Sequence, residues 1–598
     1  MATITPGAAD VARALDEAEP VRDIPMDGVH GISGDAPPSG PEDPEDAART
    51  ARLIKAAVHP LTDYGNGLRL LDHYGDDIIF VPRLGWFRWN GKKWEADEDA
   101  FLVRCDAQQV AAHILEELPH IAHEEWATAA VESAALTAKE RRTLRKMRDK
   151  KQDMTPEEIE RLRTVEEIES FAVDARKYIS KRTSDHRSHA RQSGNSGRIS
   201  NMILEAGARR RVGIDDLNAD PYAVNCANGI LRLVEGPDPH DAAWGSGPLT
   251  WHAVLAPHAR EAMASKMMRA DYNPEAPRPN FENFLISILP DPDLREFVKR
   301  WFGYTLTGLT VEQKLAFLYG VGRNGKSTLV DVIAKIVDDY GSTVPIETLT
   351  GSEQRKGSEA TPDLVRLPGA RMVRASEPER GQKMKEALVK ALTGGEPVMI
   401  RRMHQEFVEV VPEFKLTISG NHKPEIRGGD DGIWRRVLLV PFETQVPLEE
   451  VDPMLPQKLW EERDGIFAWM VEGALSYLTD GLKIPSVISA ATEEYRKDSE
   501  PMRVFLLEEC EITGNGDDFT LSRDLADAFN AWLIASGTTA WNKRQVSLKL
   551  KAYSESLRGE DGGRFAYAKR SDTGYLGIRM PQTTVDRIEA HRLEMGRK

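Results

Sequence analysis

The sequence predicts a multidomain α/β chain. An α/β core lies over residues 311–480, a mixed helical and β region precedes it, and a small unit of three helices and a hairpin follows. Three observations carry that expectation. The 598 residues exceed what one hydrophobic core serves and suggest roughly three or four domains. The run Leu-Ala-Phe-Leu-Tyr-Gly at 315–320 breaks into a glycine-rich loop and resumes as LVDVIAKIVDDY, which reads as strand, loop, helix. Charge is also unevenly placed: of a net −16, residues 1–50 carry eleven acids against Arg13, Arg22 and Arg49, a balance of −8.

That acidic stretch is rich in Pro, Gly and Ala and poor in aromatics, so residues 1–55 are expected to be a disordered tail. Residues 56–240 form the expected N-terminal domain. In it, "DDIIFVPRLGWFRWNGKKWEAD" alternates about an Asn90-Gly91 turn and places Trp86, Trp89 and Trp94 in a small β meander, more as its core than as a base-stacking platform. Residues 103–180 read as helical, with a helix entered at Thr155-Pro156-Glu157-Glu158. Residues 176–211 hold ten Lys or Arg against Asp185 and Glu205, either a phosphate-facing surface or a solvated face. "YAVNCANGILRL" reads as strand, turn, strand. A proline-punctuated connector and helices fill 241–310, the expected linker or collar. Past the core, 481–598 is expected to be winged-helix-like: helices over 501–510, "LSRDLADAFNAWLIASG" and "NKRQVSLKLKAYSE", then a hairpin. Lys543, Arg544, Lys549 and Lys551 mark its third helix.

Several classes are disfavoured. No apolar run of about 18 residues can span a bilayer, and the N-terminus lacks the pattern of a secretory signal, so a cytoplasmic protein without a membrane partner is expected. Cys105, Cys226 and Cys510 are far apart and without a CxxC partner, which points to buried thiols rather than a disulfide framework or structural zinc.

The core carries the chemistry. Gly320-Val321-Gly322-Arg323-Asn324-Gly325-Lys326-Ser327 matches the phosphate-binding loop G-x-x-x-x-G-K-[ST]. Its glycines let successive amides converge on phosphate oxygens at the positive end of the following helix. Residues 320 to 328, through Thr328, are therefore the candidate ATP contacts, with Lys326 on the β- and γ-phosphates and Ser327 on Mg2+. Downstream, the strand in "GARMVRASEPE" ends at Ser376-Glu377, and Glu377 is the candidate to hold the metal's water shell or polarise the attacking water. "FKLTISGN" ends at Asn421, placed to orient that water. Arg435 and Arg436 precede a fourth strand in "DDGIWRRVLLVPF", where an arginine reaching a neighbouring subunit's γ-phosphate would stabilise developing charge. Arg374 inside the second of these strands is unusual for a buried sheet.

The loop, "ASEPE", "ALTGGEPVMIRR", "SGNHKPEIRG" and "DDGIWRRVLLVPF" together resemble the superfamily 3 helicases, in particular the primase-helicase branch of phages, plasmids and poxviruses. Weaker likeness extends over roughly 60–500. The resemblance implies an AAA+-like ATPase core assembled as a homo-hexamer that threads single-stranded DNA at a fork, cooperating with replication proteins of the element or its host. It implies a pore hairpin after Leu392-Thr393-Gly394-Gly395, with Arg401, Arg402 and His404 gripping DNA and either Arg435 or Arg436 as the arginine finger. Lys543 and Arg544 would add DNA contacts. The expectation is an ATP-dependent replicative helicase. Primer synthesis is not expected, because the adjacent Asp76 and Asp77 would face opposite sides of a strand. The alternatives are an origin-binding initiator or remodelling ATPase and a P-loop phosphotransferase.

Overall fold

The computed structural model of the chain describes residues 44–237, 249–351, 362–365, 367–401, 407–426, 431–559, 561–586 and 589. They divide into two compact units, one reaching 216 apart from 91–93, the other formed by 91–93 and everything from 217 onward.

The first unit begins with α1 (Pro44–Ala57) and α2 (Asp63–Tyr74). Helix α1 starts inside the segment expected to be a disordered tail, and Leu53, Ala56 and Ala57 are buried, so residues 44–55 do not belong to such a tail. Residues 1–43 lie outside the described residues. The meander follows as β1 (Ile78–Val81), β2 (Gly85–Trp89) and β3 (Trp94–Asp97), antiparallel in that order. Trp86 and Trp94 are buried, which fits the core reading. Asp76 and Asp77 sit in the turn before β1, not on a strand.

Four helices complete the unit: α3 (Phe101–Glu116), α4 (Glu125–Asp149), α5 (Pro156–Ser193) and α6 (Ser196–Arg209). Helix α5 starts where the sequence signals it, with Thr155 and Glu158 forming a capping box and Pro156 in the first turn. Helices α4 and α5 pack as a hairpin, Ala127 and Ala130 against Ala175 at one end and Leu144 against Leu162 and Val165 at the other. Beneath them a polar centre is fully buried. Arg69 Nε donates to Glu117 Oε1 at 2.8 Å, His186 bonds Glu117 Oε2 at 2.7 Å, and His189 Nε2 bonds Asn66 Oδ1 at 2.8 Å.

The second unit opens with an antiparallel sheet, β4 (Ala223–Cys226), β5 (Gly229–Gly236) and β6 (Thr250–Ala256). Its Val224, Leu231 and Leu233 share one core with residues of α7 (Pro279–Ile288), α8 (Pro292–Tyr304) and the main sheet. The expected boundary at 240 is therefore displaced to about 216, and the expected linker is core.

The main sheet contains β7 (Leu315–Tyr319), β8 (Gly341–Thr343), β9 (Met372–Ser376), β12 (Lys415–Gly420) and β13 (Val437–Pro441), in the order β13-β7-β12-β9-β8, every pair parallel. Helix α9 (Lys326–Val337) follows β7. Both faces of the sheet are covered: Ala316 and Leu318 enter one core, Leu315 and Phe317 the other. That double burial is why LAFLY and VLLVP are unbroken apolar runs. Helix α10 (Glu386–Gly394) and the hairpin β10 (Val398–Arg401) with β11 (Phe407–Val410) lie between β9 and β12 in sequence. The single turn α11 (Asp431–Trp434) precedes β13.

Two further helices close the sheet. Helix α12 (Arg463–Asp480) crosses α8 backbone to backbone: a Cβ on Gly303 would lie 2.1 Å from Ala474 N. Helix α13 (Ser486–Ser499) lies along the edge strand β13, where Leu439 N–H donates to Thr492 Oγ1 at 3.0 Å. The C-terminal part therefore begins near 500 rather than 481. It runs α14 (Pro501–Glu508), β14 (Phe519–Leu521), α15 (Ser522–Ala535), α16 (Lys543–Ser556), β15 (Ala566–Lys569) and β16 (Thr573–Leu576), with sheet order β14-β16-β15 and its own core around Phe505, Phe529 and Tyr575. The strand β14 was not foreseen. Among the described residues no helix is long and apolar enough to cross a membrane.

Candidate functional site

The loop 320–325 joins the tip of β7 to the first turn of α9 and is shaped by close packing. Gly325 has φ +72°, and a Cβ there would lie 2.5 Å from Ile288 Cγ2. A Cβ on Gly320 would meet Phe442 O at 2.1 Å. Neither position accepts another residue without displacing its surroundings. Asn324 is turned inward, 3% exposed, and its Nδ2 donates to Phe442 O at 3.0 Å. It braces the loop against the segment after β13, a role its place in the motif did not announce.

Lys326 heads α9 and is 3% exposed. Its Nζ donates to Gly320 O at 2.7 Å, Asn324 Oδ1 at 2.9 Å and Asn421 Oδ1 at 3.2 Å. Burial holds this ammonium below the usual lysine range, and the Glu377 carboxylate opposes that shift. Ser327 is exposed in the same turn.

Glu377 follows the tip of β9 in the left-handed region, φ +58°, with its N–H donating to Ser419 O at 2.8 Å. Strand order explains the convergence: β12 lies between β7 and β9, so Asn421 stands between the lysine loop and Glu377. The structure thus brings together Lys326, Asn421 and Glu377.

It separates Arg435 and Arg436 from them. Strands β13 and β7 are parallel, with Val437 beside Leu315 and Pro441 beside Tyr319. The arginines therefore lie level with residue 314, some six residue steps of about 3.3 Å, or roughly 20 Å, from the loop. An arginine side chain does not extend that far. The two also differ from each other. Arg435 is exposed, its carbonyl held by Lys314 Nζ at 2.7 Å, whereas Arg436 Nη1 donates inward to Gly432 O at 2.7 Å.

Other candidate residues fall elsewhere. Arg401 ends β10 and its side chain, like all of Arg402 and His404, lies outside the described residues. Lys543 and Arg544 are exposed on the first turn of α16, which Asn542 caps. In the basic segment, Arg176, Arg182, Arg198 and Arg209 are engaged within the unit, with Glu169, Ala122 O, Asp63 and Tyr64 respectively. Lys181, Arg187 and Arg191 are exposed, and no ion-pair partner for them occurs among the described residues. Arg374 has a simple explanation: β9 borders the short edge strand β8, and its guanidinium reaches Thr343 Oγ1 at 2.9 Å and pairs with Asp331. Of the cysteines, Cys226 and Cys510 are buried but Cys105 is exposed on α3. Among the described residues no cluster of three or more His, Cys, Asp or Glu could hold a metal.

Fold and site together define a multidomain α/β protein whose parallel sheet gathers a glycine-loop lysine, an asparagine and a glutamate at its strand tips. Residues 67–290 match the family described as D5 N terminal like, and 318–436 match a family of unknown function (DUF5906). The chain is 28% identical over 244 residues to "Putative helicase L207/L206" of Acanthamoeba polyphaga mimivirus, covering 38% of this chain and 25% of that protein. It is 28% identical over 292 residues to "Putative helicase 022R" of Frog virus 3, covering 45% and 30%. It is 22% identical over 372 residues to "Putative primase C962R" of African swine fever virus, covering 58% and 36%. The chain thus spans about a quarter to a third of the length of these relatives. Among solved structures, the apo structure of the NrS-1 C terminal region (305-718) covers 57% of this chain and 84% of that one at 13% identity, with a TM-score of 0.31, too loose a superposition to carry an argument. These matches make the chain similar to the D5-like, superfamily 3 primase-helicases of large DNA viruses.

Proposed function

We propose that the chain is an Mg2+- and ATP-dependent DNA helicase of the replicative kind, working as a homo-hexameric ring on single-stranded DNA. One observation carries the reading: Lys326, Asn421 and Glu377 meet at one end of the sheet, while the exposed Arg435 stands roughly 20 Å away at the other end. In such an arrangement Arg435 would act on the site of an adjacent copy, and a ring of copies presents one at every interface.

In this reading ATP lies along residues 320–328, its phosphates on the loop amides and the N-terminus of α9. Ser327 and Glu377 are of the right chemistry to hold Mg2+, directly and through water, and the ion would neutralise charge on the β- and γ-oxygens. Lys326 compensates charge on the transferred phosphoryl group, Asn421 aligns the attacking water, Glu377 polarises it, and Arg435 from the neighbour stabilises the transition state. Arg436 serves instead to fix the turn behind it. The hairpin β10–β11 is the candidate DNA grip, and the exposed cations of α5 offer a second phosphate contact. The names of the viral relatives support DNA as the substrate.

The second reading, an initiator or remodelling ATPase, is favoured by the C-terminal part. Its helix, strand, two helices and two strands follow the order of a winged helix, with Lys543 and Arg544 exposed on the third helix. ATP turnover by the purified chain with and without single-stranded DNA tests the proposal. The expected result is turnover that DNA stimulates and that falls about a hundredfold or more in Lys326→Ala. Turnover indifferent to DNA would favour the phosphotransferase alternative.

A further inference from the structure

The segment that carries Arg435 is tied to the start of the C-terminal part by a buried carboxylate. Glu500 caps α14, its backbone carbonyl accepting from Arg503 N at 2.9 Å, and only 1% of its side chain is exposed. Its Oε1 accepts from Trp434 Nε1 at 2.9 Å. Its Oε2 faces Arg496 Nε at 3.3 Å and Arg503 Nε at 3.9 Å. Trp434 is the last residue of α11, directly before Arg435. Arg496 pairs with Asp431 at the other end of that single turn, and Tyr495 packs edge-on against the Trp434 ring at 5.2 Å. Both ends of α11 are thus held from α13 and the residue that follows it.

The same helix also holds the segment after β12. Lys423 Nζ pairs with Asp498 at 3.1 Å, and Tyr495 donates its hydroxyl to Pro424 O. The segments after Asn421 and before Arg435, roughly a strand length apart in the sheet, therefore both rest on α13, which joins α14 through the non-helical Glu500. A buried carboxylate kept by an indole and two guanidiniums is costly to leave half-partnered, so α11 and Glu500 move together or the cluster breaks.

We infer that Glu500 is a positioning residue which, through Trp434, sets the direction of Arg435 and couples the C-terminal part to ATP turnover. The inference rests on the reading of Arg435 as the arginine that acts on a neighbouring site. Displacement of α14, as when the C-terminal part engages DNA, then swings the arginine rather than the loop that binds the nucleotide.

The test uses the full chain and four variants: Trp434→Phe, which keeps the ring against Tyr495 and removes its donor; Glu500→Gln, which keeps an acceptor and removes the charge; Arg435→Ala; and the Trp434→Phe, Arg435→Ala pair. Nucleotide affinity is measured with a fluorescent ATP analogue, turnover as kcat, and folding as Tm. Trp434→Phe is expected to keep the affinity within about twofold and to lose about tenfold in kcat. In the Arg435→Ala background the same change should cost less than twofold, because its target is already gone. Glu500→Gln should fall between wild type and Trp434→Phe, and it replaces Trp434→Phe in the comparison if that variant does not fold. Equal losses in both backgrounds, or a loss of affinity that parallels the loss of kcat, would overturn the inference and leave the arginine's role intact. Undiminished turnover in Arg435→Ala would overturn the arginine's role, and this inference with it.

Discussion

Lys326 shows how much a single side chain depends on its surroundings. Three oxygen atoms hold it, from Gly320, Asn324 and Asn421, and the last comes from a strand that a reading of local pattern cannot connect to the loop. The motif made the lysine legible; its partner was legible only as the polar end of an apolar run. The choice between Arg435 and Arg436 was not legible at all, since the two are adjacent and only the turn of α11 makes one exposed and the other bonded to Gly432. Gly325 combines a left-handed backbone with a crowded Cβ position. Gly325→Ala should cost ATP turnover and lower Tm, because its left-handed backbone disfavours a Cβ by about 1 kcal/mol and the new atom would collide with Ile288; calorimetry and a turnover assay read both. His189 governs a pH effect in the first unit. Burial lowers its pKa to about 4, Arg69, Arg198 and His186 adding to the shift and Asp63 opposing it. An unfolded histidine binds its proton near 6.5, so this contribution to stability is complete above about 6.5 and is lost as pH falls toward 4, worth at most about 3 kcal/mol. Calorimetry at pH 7.5, 6 and 4.5 should show one transition whose downward shift with acid is smaller in His189→Gln.

At the scale of elements, signals confined to a few neighbouring residues were readable and those made by distant pairing were not. The capping box at Thr155, the Asn90-Gly91 turn and the strand-loop-helix at 315–337 each rest on local chemistry. Strand β8 has three residues, Gly-Ser-Thr, and exists because β9 offers it a parallel edge. Arg374 looked misplaced until that short edge strand and Asp331 were seen beside it. Helix α5 illustrates the same limit for charge. Its sequence shows a basic block, but only the fold reveals which cations are spent inside the unit. Lys181, Arg187 and Arg191, with Ser184 and Ser188, fall within about a third of the helix circumference, opposite the buried His186, His189 and Ala190. Replacing these three cations with serine should weaken single-stranded DNA binding uniformly across sequences and lower the magnitude of the log-log salt slope by about 2; a fluorescence anisotropy titration at several salt concentrations would detect it, and an unchanged slope would return α5 to a solvated face.

At the scale of the whole molecule, composition marked an acidic N-terminal stretch, of which 1–43 lie outside the described residues, and it misplaced two boundaries. Leu231 and Leu233 are buried against α8 and the sheet, more than sixty residues on, so no local pattern marks the division near 216. Likewise α13 belongs to the sheet because Thr492 caps an edge strand from which it is separated by fifty residues. The distance between the lysine loop and Arg435 is the feature that makes the account one about an assembly. Sedimentation of the pure chain with a non-hydrolysable ATP analogue and an oligonucleotide should show a closed oligomer that the chain alone, at the same concentration, populates less. The most direct trial of the central claim is displacement of the labelled strand from a forked DNA duplex by the purified chain, with Lys326→Ala alongside. The account predicts ATP-dependent strand release by the wild-type protein and none by the variant; a wild-type protein that hydrolyses ATP on DNA yet leaves the duplex paired would contradict it and favour the initiator reading.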